Sequence, residues 1–548
     1  MVTIRDAGDA AMLLELEPRI DVAVNQRATA IAAAVRRRAL PGVRDVVAAF
    51  RSVAVYFDPL VADANAVRDL LTQTAGEPSV VTSGRAVAIP VVYGGDSGPD
   101  LLGLATARSL HPDDVVAIHA GTAYRVFMLG FLPGFAYLGP VDERIAAPRR
   151  STPRVHVPAG SVGIAGRQTG IYPRESPGGW QIIGRTPVAL FDPDRDPPAL
   201  LAPGDTVHFV PASPAEVRFE PPVRASGPAA APAASRSITV IRPGMLTTVQ
   251  DPGRWGYQTL GVPVSGALDM VAFRMANALA GNARDAASLE VTIMGPELRV
   301  EQATRVAIAG ADLSAALDGT AVAPPCVVTA RPGSVLRFGP TRSGARAYVA
   351  FDGGVDVPRT MGSRATHIGT VTGGLAGRPL SAGDRVPLGR PRGKTAWRVA
   401  VDRVPDRAAA GRSGATLRVL PGPQLDWFDE VAFEVLQRTR FTVASQSNRM
   451  GYRLHGDATI PRLPDREMIS DATFPGAVQV PASGEPILLL ADRQTTGGYP
   501  QISTVISADL PLAGQLAPGD WVEFRLCTRA EAIAALVAQE GKLLALGG

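Results

Sequence analysis

The chain is predicted to be mainly β, with a small α+β domain at its start and a duplicated architecture. Three observations predict this. Glycine (57 residues) and proline (48) are abundant, which favours many short strands and turns over long helices. A hydrophobic content of 46% over 548 residues is enough for several cores. The chain also nearly repeats itself: GRQTGIYPRES (166–176) returns as DRQTTGGYPQI (492–502), preceded by VHVPAG and VQVPASG and followed by LAPGDTVHF and LAPGDWVEF. Order and spacing survive over a period too long for a solenoid, so a domain has been duplicated.

Residues 1–82 are expected to form the α+β domain. NQRATAIAAAVRRRAL is helical and stops at Pro41-Gly42, DVVAAF and SVAVYFDP alternate as strands, and ADANAVRDLLTQ is helical again. Residues 83–220 carry short strands around one helical stretch, HPDDVVAIHAG, and are expected to close into a β-barrel. Residues 221–237, PPVRASGPAAAPAASRS, lack periodicity and read as a Pro/Ala linker. Residues 238–395 are expected to form another barrel, with Leu268, Val271, Met275 and Leu279 striping one helix. Residues 396–548 are expected to form a last barrel, which holds the second motif copy; TRAE (528–531) is a capping box opening its final helix.

Charge and cysteine usage exclude whole classes. A net charge of +4 with no basic run interleaved with aromatics argues against nucleic-acid binding. Cys326 and Cys527 are too few for a disulfide framework or a cysteine-ligated zinc site. The opening MVTIRDAGDAAMLLELE carries acids where a signal peptide needs a basic then apolar segment, and no apolar run reaches bilayer length, so a cytoplasmic protein with no membrane partner is expected. Lysine occurs only at 394 and 542. GRPRGKT (389–395) falls one residue short of P-loop spacing and precedes a strand-like run, so it reads as a loop.

Four stretches could carry chemistry. In FMLGFLPGFAYLG (127–139), glycines and aromatics alternate as in a hairpin that lets backbone approach backbone or ligand. The segment 148–180 offers His156 as an acid or base and Arg154, Arg167 and Arg174 as anion ligands; a strand histidine also commonly serves as a satisfied structural group. TTVQDPGRWGYQTLGVPVSGALD (247–269) places Asp251, Arg254 and Tyr257 about a turn. SQSNRMGYRL (445–454) brings Asn448 and Arg449, which with Gln479, Arg493, Gln494 and Tyr499 would suit a substrate carrying a neutral amide and a carboxylate. The candidates for catalysis are His156, Arg167, Gln168, Tyr172, Gln494 and Tyr499; those for substrate binding are Arg154, Arg174, Asp251, Arg254, Asn448, Arg449, Gln479 and Arg493. The alternative is that Gln and Tyr of each copy only tie a glycine turn to its barrel.

FMLGFLPGFAYLG with the segment 148–187 resembles the first allophanate-hydrolase-subunit family, and 247–269, SQSNRMGYRLHG and ADRQTTGGYPQISTV resemble the second. The resemblance implies the B and C components of 5-oxoprolinase fused through the linker, with cyclophilin-like β-barrels. It implies ATP, with Mg²⁺, as the source of driving force for opening 5-oxoproline to glutamate, and a separate A component of 5-oxoprolinase as partner. The same segments resemble the carboxyltransferase part of biotin-dependent urea carboxylase, and the first half resembles a histidine-kinase inhibitor. Neither lysine lies between methionines as a biotin-carrying lysine would, nor beside paired serines as in an amidase, so no biotin is expected on this chain.

Overall fold

In the computed structural model, which describes residues 2–78, 84–219, 236–391, 414–463 and 468–547, the chain folds from its start as local signals dictate. Asp21 caps helix Val22–Arg38, its carboxylate accepting from the N–H groups of Ala23 (2.9 Å) and Val24 (3.1 Å). Arg36, Arg37 and Arg38 fill the last turn, where cations suit the helix dipole, and Ala39 turns left-handed just ahead of Pro41-Gly42. This helix and Ala64–Gly76 pack on an antiparallel sheet ordered Thr3–Asp6, Ala11–Glu15, Ser52–Phe57, Val43–Ala48. Met12, Leu14, Val53 and Val55 face the helices. The alternate residues Ala11, Leu13, Ala54 and Tyr56 face Phe474, Ala477 and Leu489 of the second half. Every residue of Ala11–Glu15 is therefore buried, because both faces of the sheet are covered.

Two closed seven-stranded barrels follow the same plan. The first runs Ala86–Tyr93, Gln181–Arg185, Ser161–Ala165, Gln168–Ile171, Ala136–Gly139, Ala123–Leu129, Thr206–Pro211 and closes through a parallel pairing of its first and last strands. The second runs Gly414–Pro421, Gln501–Val505, Ala477–Gln479, Ile487–Leu489, Gly451–His455, Phe441–Val443, Trp521–Leu526 and closes through the same parallel pairing. Each carries a two-stranded ribbon at one side, Arg154–Val157 with Ser176–Gly178 and Asp471–Ala472 with Thr496–Gly497. Matching order, pairing sense and ribbons establish the duplication in three dimensions.

The expected barrel over 238–395 is instead a sandwich. One sheet is ordered Thr320–Ala321, Ala316–Leu317, Val335–Arg337, Glu297–Val300, Ser237–Arg242, Arg385–Pro387, the other Leu246–Gln250, Ser288–Thr292, Ser343–Phe351, Thr304–Asp312, Cys326–Ala330. Among the described residues the edge strands do not pair, so neither sheet closes. Val306, Ile308 and Val349 point into the core between the sheets, while Ala307, Ala309 and Tyr348 lie under helix Met270–Ala280. Small residues on that outer face let a helix lie where a barrel wall would meet solvent.

Residues 221–235 of the expected linker and 392–413, which include Lys394 and the boundary at 395–396, lie outside the described residues; Ser237 already begins a strand. Among the described residues no helix is long and apolar enough to cross a membrane.

Candidate functional site

The glycine-rich hairpin of the first barrel meets the second motif copy. The backbone N–H of Phe131 donates to Thr496 Oγ1 at 3.0 Å. A Cβ on Gly130 would collide with the Thr496 side chain, so only glycine permits this approach. The Tyr137 hydroxyl lies within bonding reach of the Thr496 and Ser470 hydroxyls, and burial pushes its pKa up. Behind it Phe131, Phe135, Tyr172 and Trp180 pack edge to face. The positive charge of Arg149 bears on both Tyr137 and Tyr172.

Across the seam the second barrel presents amides. Gln479 (2% exposed) and Gln494 bring their Nε2 atoms to 2.9 and 3.0 Å from where a Cβ of Gly497 would stand. Gln501 lies opposite Gln479 in the ladder; its Nε2 donates to Ala472 O at 3.1 Å, while its Oε1 is buried without a partner. Gln424 accepts from the Gln501 N–H at 3.1 Å and leaves Nε2 unpartnered; Thr495 Oγ1 is likewise buried and unpartnered. Buried polar atoms normally find partners, so these three are exceptions among the described residues.

The remaining expected residues divide by neighbourhood. Gln494 and Gln479 line the seam, with Tyr499 at its exposed rim (43%). Tyr172 is buried among the aromatics and burial pushes its pKa up to about 12; Gln168 leaves Oε1 buried and unpartnered. Arg174 is half-buried with no carboxylate partner among the described residues, and burial pushes its pKa down. His156 is exposed and meets Glu175 at 3.1 Å, and Arg167 is exposed against Glu143 at 3.1 Å. Arg154 forms a fork with Asp100 (2.7 and 2.8 Å), a tie within the first barrel. Asn448 is exposed, its Oδ1 accepting from the Met450 N–H at 2.8 Å in a turn.

Four others form ties between folded parts. Asp251 accepts from Ser363 Oγ (2.6 Å) and from the N–H groups of Gly253 and Arg364. Arg254 is buried, donates to Ala365 O and leaves Nε and Nη1 unpartnered. Arg449 is enclosed by Asp492 (2.9 Å), Glu290 and Gly266 O (2.6 Å). Burial alone would lower its pKa; the Asp492 and Glu290 carboxylates outweigh that and the net shift is upward. Arg493 donates to Gln258 Oε1 (2.7 Å) and Thr473 O (3.3 Å), beside Tyr56 of the first domain.

The structure also moves the correspondence between the motif copies. Gly497-Gly498 leave the second ribbon as Gly178-Gly179 leave the first, and Gln501 opens the same barrel strand as Gln181. Counting back, the counterpart of Arg493 is Arg174, not Arg167. Tyr137, Arg149, Ser470, Thr496 and Gln501 were not singled out from the sequence. Tyr137, Arg149, Thr496 and Gln501 lie inside stretches that were, and Ser470 carries no sequence signal.

Comparison with known proteins agrees with this architecture. Residues 2–201 match the carboxyltransferase domain, subdomain C and D, and residues 260–526 match the carboxyltransferase domain, subdomain A and B. The C component of 5-oxoprolinase from Escherichia coli (strain K12) is 40% identical over 303 residues, 55% of this chain and 95% of that protein. The B component of 5-oxoprolinase from Bacillus subtilis (strain 168) is 44% identical over 221 residues, 38% of this chain and 91% of that protein. Urea amidolyase from Saccharomyces cerevisiae is 31% identical over 306 residues, 53% of this chain but 16% of that protein. The crystal structure of TTHA0988 aligns with a TM-score of 0.81 at 35% identity, covering 95% of this chain and 100% of that one. The chain belongs to the carboxyltransferase-domain family, with a half like the B component of 5-oxoprolinase joined to a half like its C component.

Proposed function

We propose that the chain is the B and C component of an ATP-dependent 5-oxoprolinase, acting in the cytoplasm with a separate A component to open 5-oxo-L-proline to L-glutamate. The observation that supports this reading is the group of amides Gln479, Gln494 and Gln501, with Gln501 Oε1 unpartnered among the described residues, beside Gly497 and Thr496, where the second barrel meets Tyr137 of the first. A lactam has one N–H and one C=O to satisfy; side-chain amides supply both a donor and an acceptor without charge. The substrate carboxylate is assigned to Arg174, a reading supported by its half-burial and its lack of an acidic partner among the described residues.

Arg149, whose charge bears on Tyr137 and Tyr172, fits a phosphate. ATP, when bound, supplies the phosphoryl group that turns the amide oxygen into a leaving group. Among the described residues no group of three or more His, Cys, Asp or Glu could hold a metal, so Mg²⁺ would arrive on nucleotide phosphates. The aromatic cluster excludes water from the seam, and Tyr137, whose pKa is pushed up, stays protonated to donate to a carbonyl oxygen.

A second reading, the carboxyltransferase component of a biotin-dependent urea carboxylase, is favoured by the match to urea amidolyase. Turnover of 5-oxoproline with ATP, measured with the A component added, tests the first reading. Carboxyl transfer from carboxybiotin to urea, with no ATP hydrolysis dependent on 5-oxoproline, moves the assignment to the second.

A further inference from the structure

Away from the barrel seam, a cavity of about 100 Å³ lies between helix Val22–Arg38 and the wall of the first barrel. Gln26, Thr29 and Arg37 line it from the helix, Arg125 and Gly204 from the barrel, and Glu77 from its edge. Arg125 projects from a barrel strand into half-buried surroundings with no carboxylate partner among the described residues; its bonds to Asn25 Oδ1 and Gly204 O are both 3.4 Å, at the long limit. Burial with no neighbouring acid pushes its pKa down. Arg37 is also without a partner among the described residues, whereas Glu77 is engaged by Arg38.

The cavity has a third polar group. Thr29 Oγ1 is buried without a partner among the described residues, although a helical threonine can bond the carbonyl four residues back, as Thr74 does at 2.8 Å. Two guanidiniums and a hydroxyl, all with unused donors, surround a space that holds several waters or one small anion.

We propose that this cavity is a binding site for a small oxoanion, held by Arg125 and Arg37 with the Thr29 hydroxyl as a further donor. Phosphate and carboxylate share the chemistry, since each accepts from a guanidinium fork. The bound anion joins the helix to the barrel. Arg36, next along the same helix, donates to Val46 O and reaches Thr259 Oγ1 of the second half at 3.3 Å, so the anion stiffens a helix that touches both halves.

Calorimetric titration of the full chain with inorganic phosphate at constant ionic strength tests the proposal, with acetate as a second arm. Wild type is expected to bind, and Arg37→Gln or Arg125→Gln to weaken binding about tenfold or more through loss of charged hydrogen bonds. Arg37 is exposed and pairs with nothing among the described residues, so its variant keeps the test valid should Arg125→Gln misfold. Arg331→Gln, an exposed arginine of the sandwich, is expected to leave this binding unchanged. Acetate binding in place of phosphate would retain the site and assign it to carboxylates. Absence of binding by wild type, wild-type affinity in Arg37→Gln, or loss of binding in Arg331→Gln alone would each overturn it.

Discussion

The Phe131 N–H and the Thr496 hydroxyl, 365 residues apart, meet at 3.0 Å where the two barrels join. Thr496→Val keeps the shape and removes the acceptor, leaving a backbone donor unsatisfied at a cost of about 1–3 kcal/mol. The variant is expected to lose most 5-oxoproline turnover, and Thr496→Ser to retain it. Equal activities for the two would show that the hydroxyl is not used.

Gln494→Ala removes one of the amides at Gly497. Loss of a buried substrate hydrogen bond predicts a fall in kcat/KM of about tenfold or more, with a melting temperature near wild type. A variant that loses stability and keeps specific activity would make this turn scaffolding.

Arg449 neutralises Asp492 and Glu290 inside the protein. Arg449→Met strands both carboxylates, at a cost of about 3–5 kcal/mol. Burial would raise the Asp492 pKa, but Arg449 first and His367 next hold it below the usual carboxylate value. Its contribution is present above the ordinary value and is lost as pH falls through the lowered one. With Arg449 gone burial raises Asp492 instead, so the variant is expected to fall furthest below wild type in stability near neutral pH and to close the gap as acid protonates the stranded carboxylate, measured as melting temperature by circular dichroism across that range.

Asp471 gives the opposite sign. Burial at the seam with the first domain, helped by the nearby Glu15 charge, pushes its pKa from 3.8 up to about 6, although Ser52 Oγ donates to it at 2.5 Å. Stability from this group is full below 3.8 and is lost as pH rises through about 6, a total of about 3 kcal/mol. Asp471→Asn should flatten the pH profile of melting temperature between those values and exceed wild type in mildly alkaline buffer. An unchanged profile would place the titration elsewhere.

The duplication was legible because a barrel closing through parallel first and last strands needs the same glycine turns twice. Its register was not, since Arg-Gln-Thr recurs at the start of a barrel strand in one copy and in the loop before the ribbon in the other. The sandwich escaped notice because short strands and turns are common to barrels and sandwiches, and only pairing of the edges separates them. The arginines were the hardest to place. Arg449 beside a glycine turn reads the same whether its guanidinium faces a ligand or Glu290, 159 residues away.

The bond between Asp9 and Ser507 spans 498 residues of chain, with Ser507 Oγ donating at 2.8 Å. At roughly 5–20 residues per second, Asp9 leaves the ribosome roughly 25–100 seconds before its partner exists. Asp45 and Tyr56 wait in the same way for Gln258 and Thr473. Until then the outer face of the first sheet, with Leu13, Ala54 and Tyr56, is bare. Tethering the later half to the earlier one makes the arrival of a cover certain and first-order, independent of how much of any second polypeptide the cell holds.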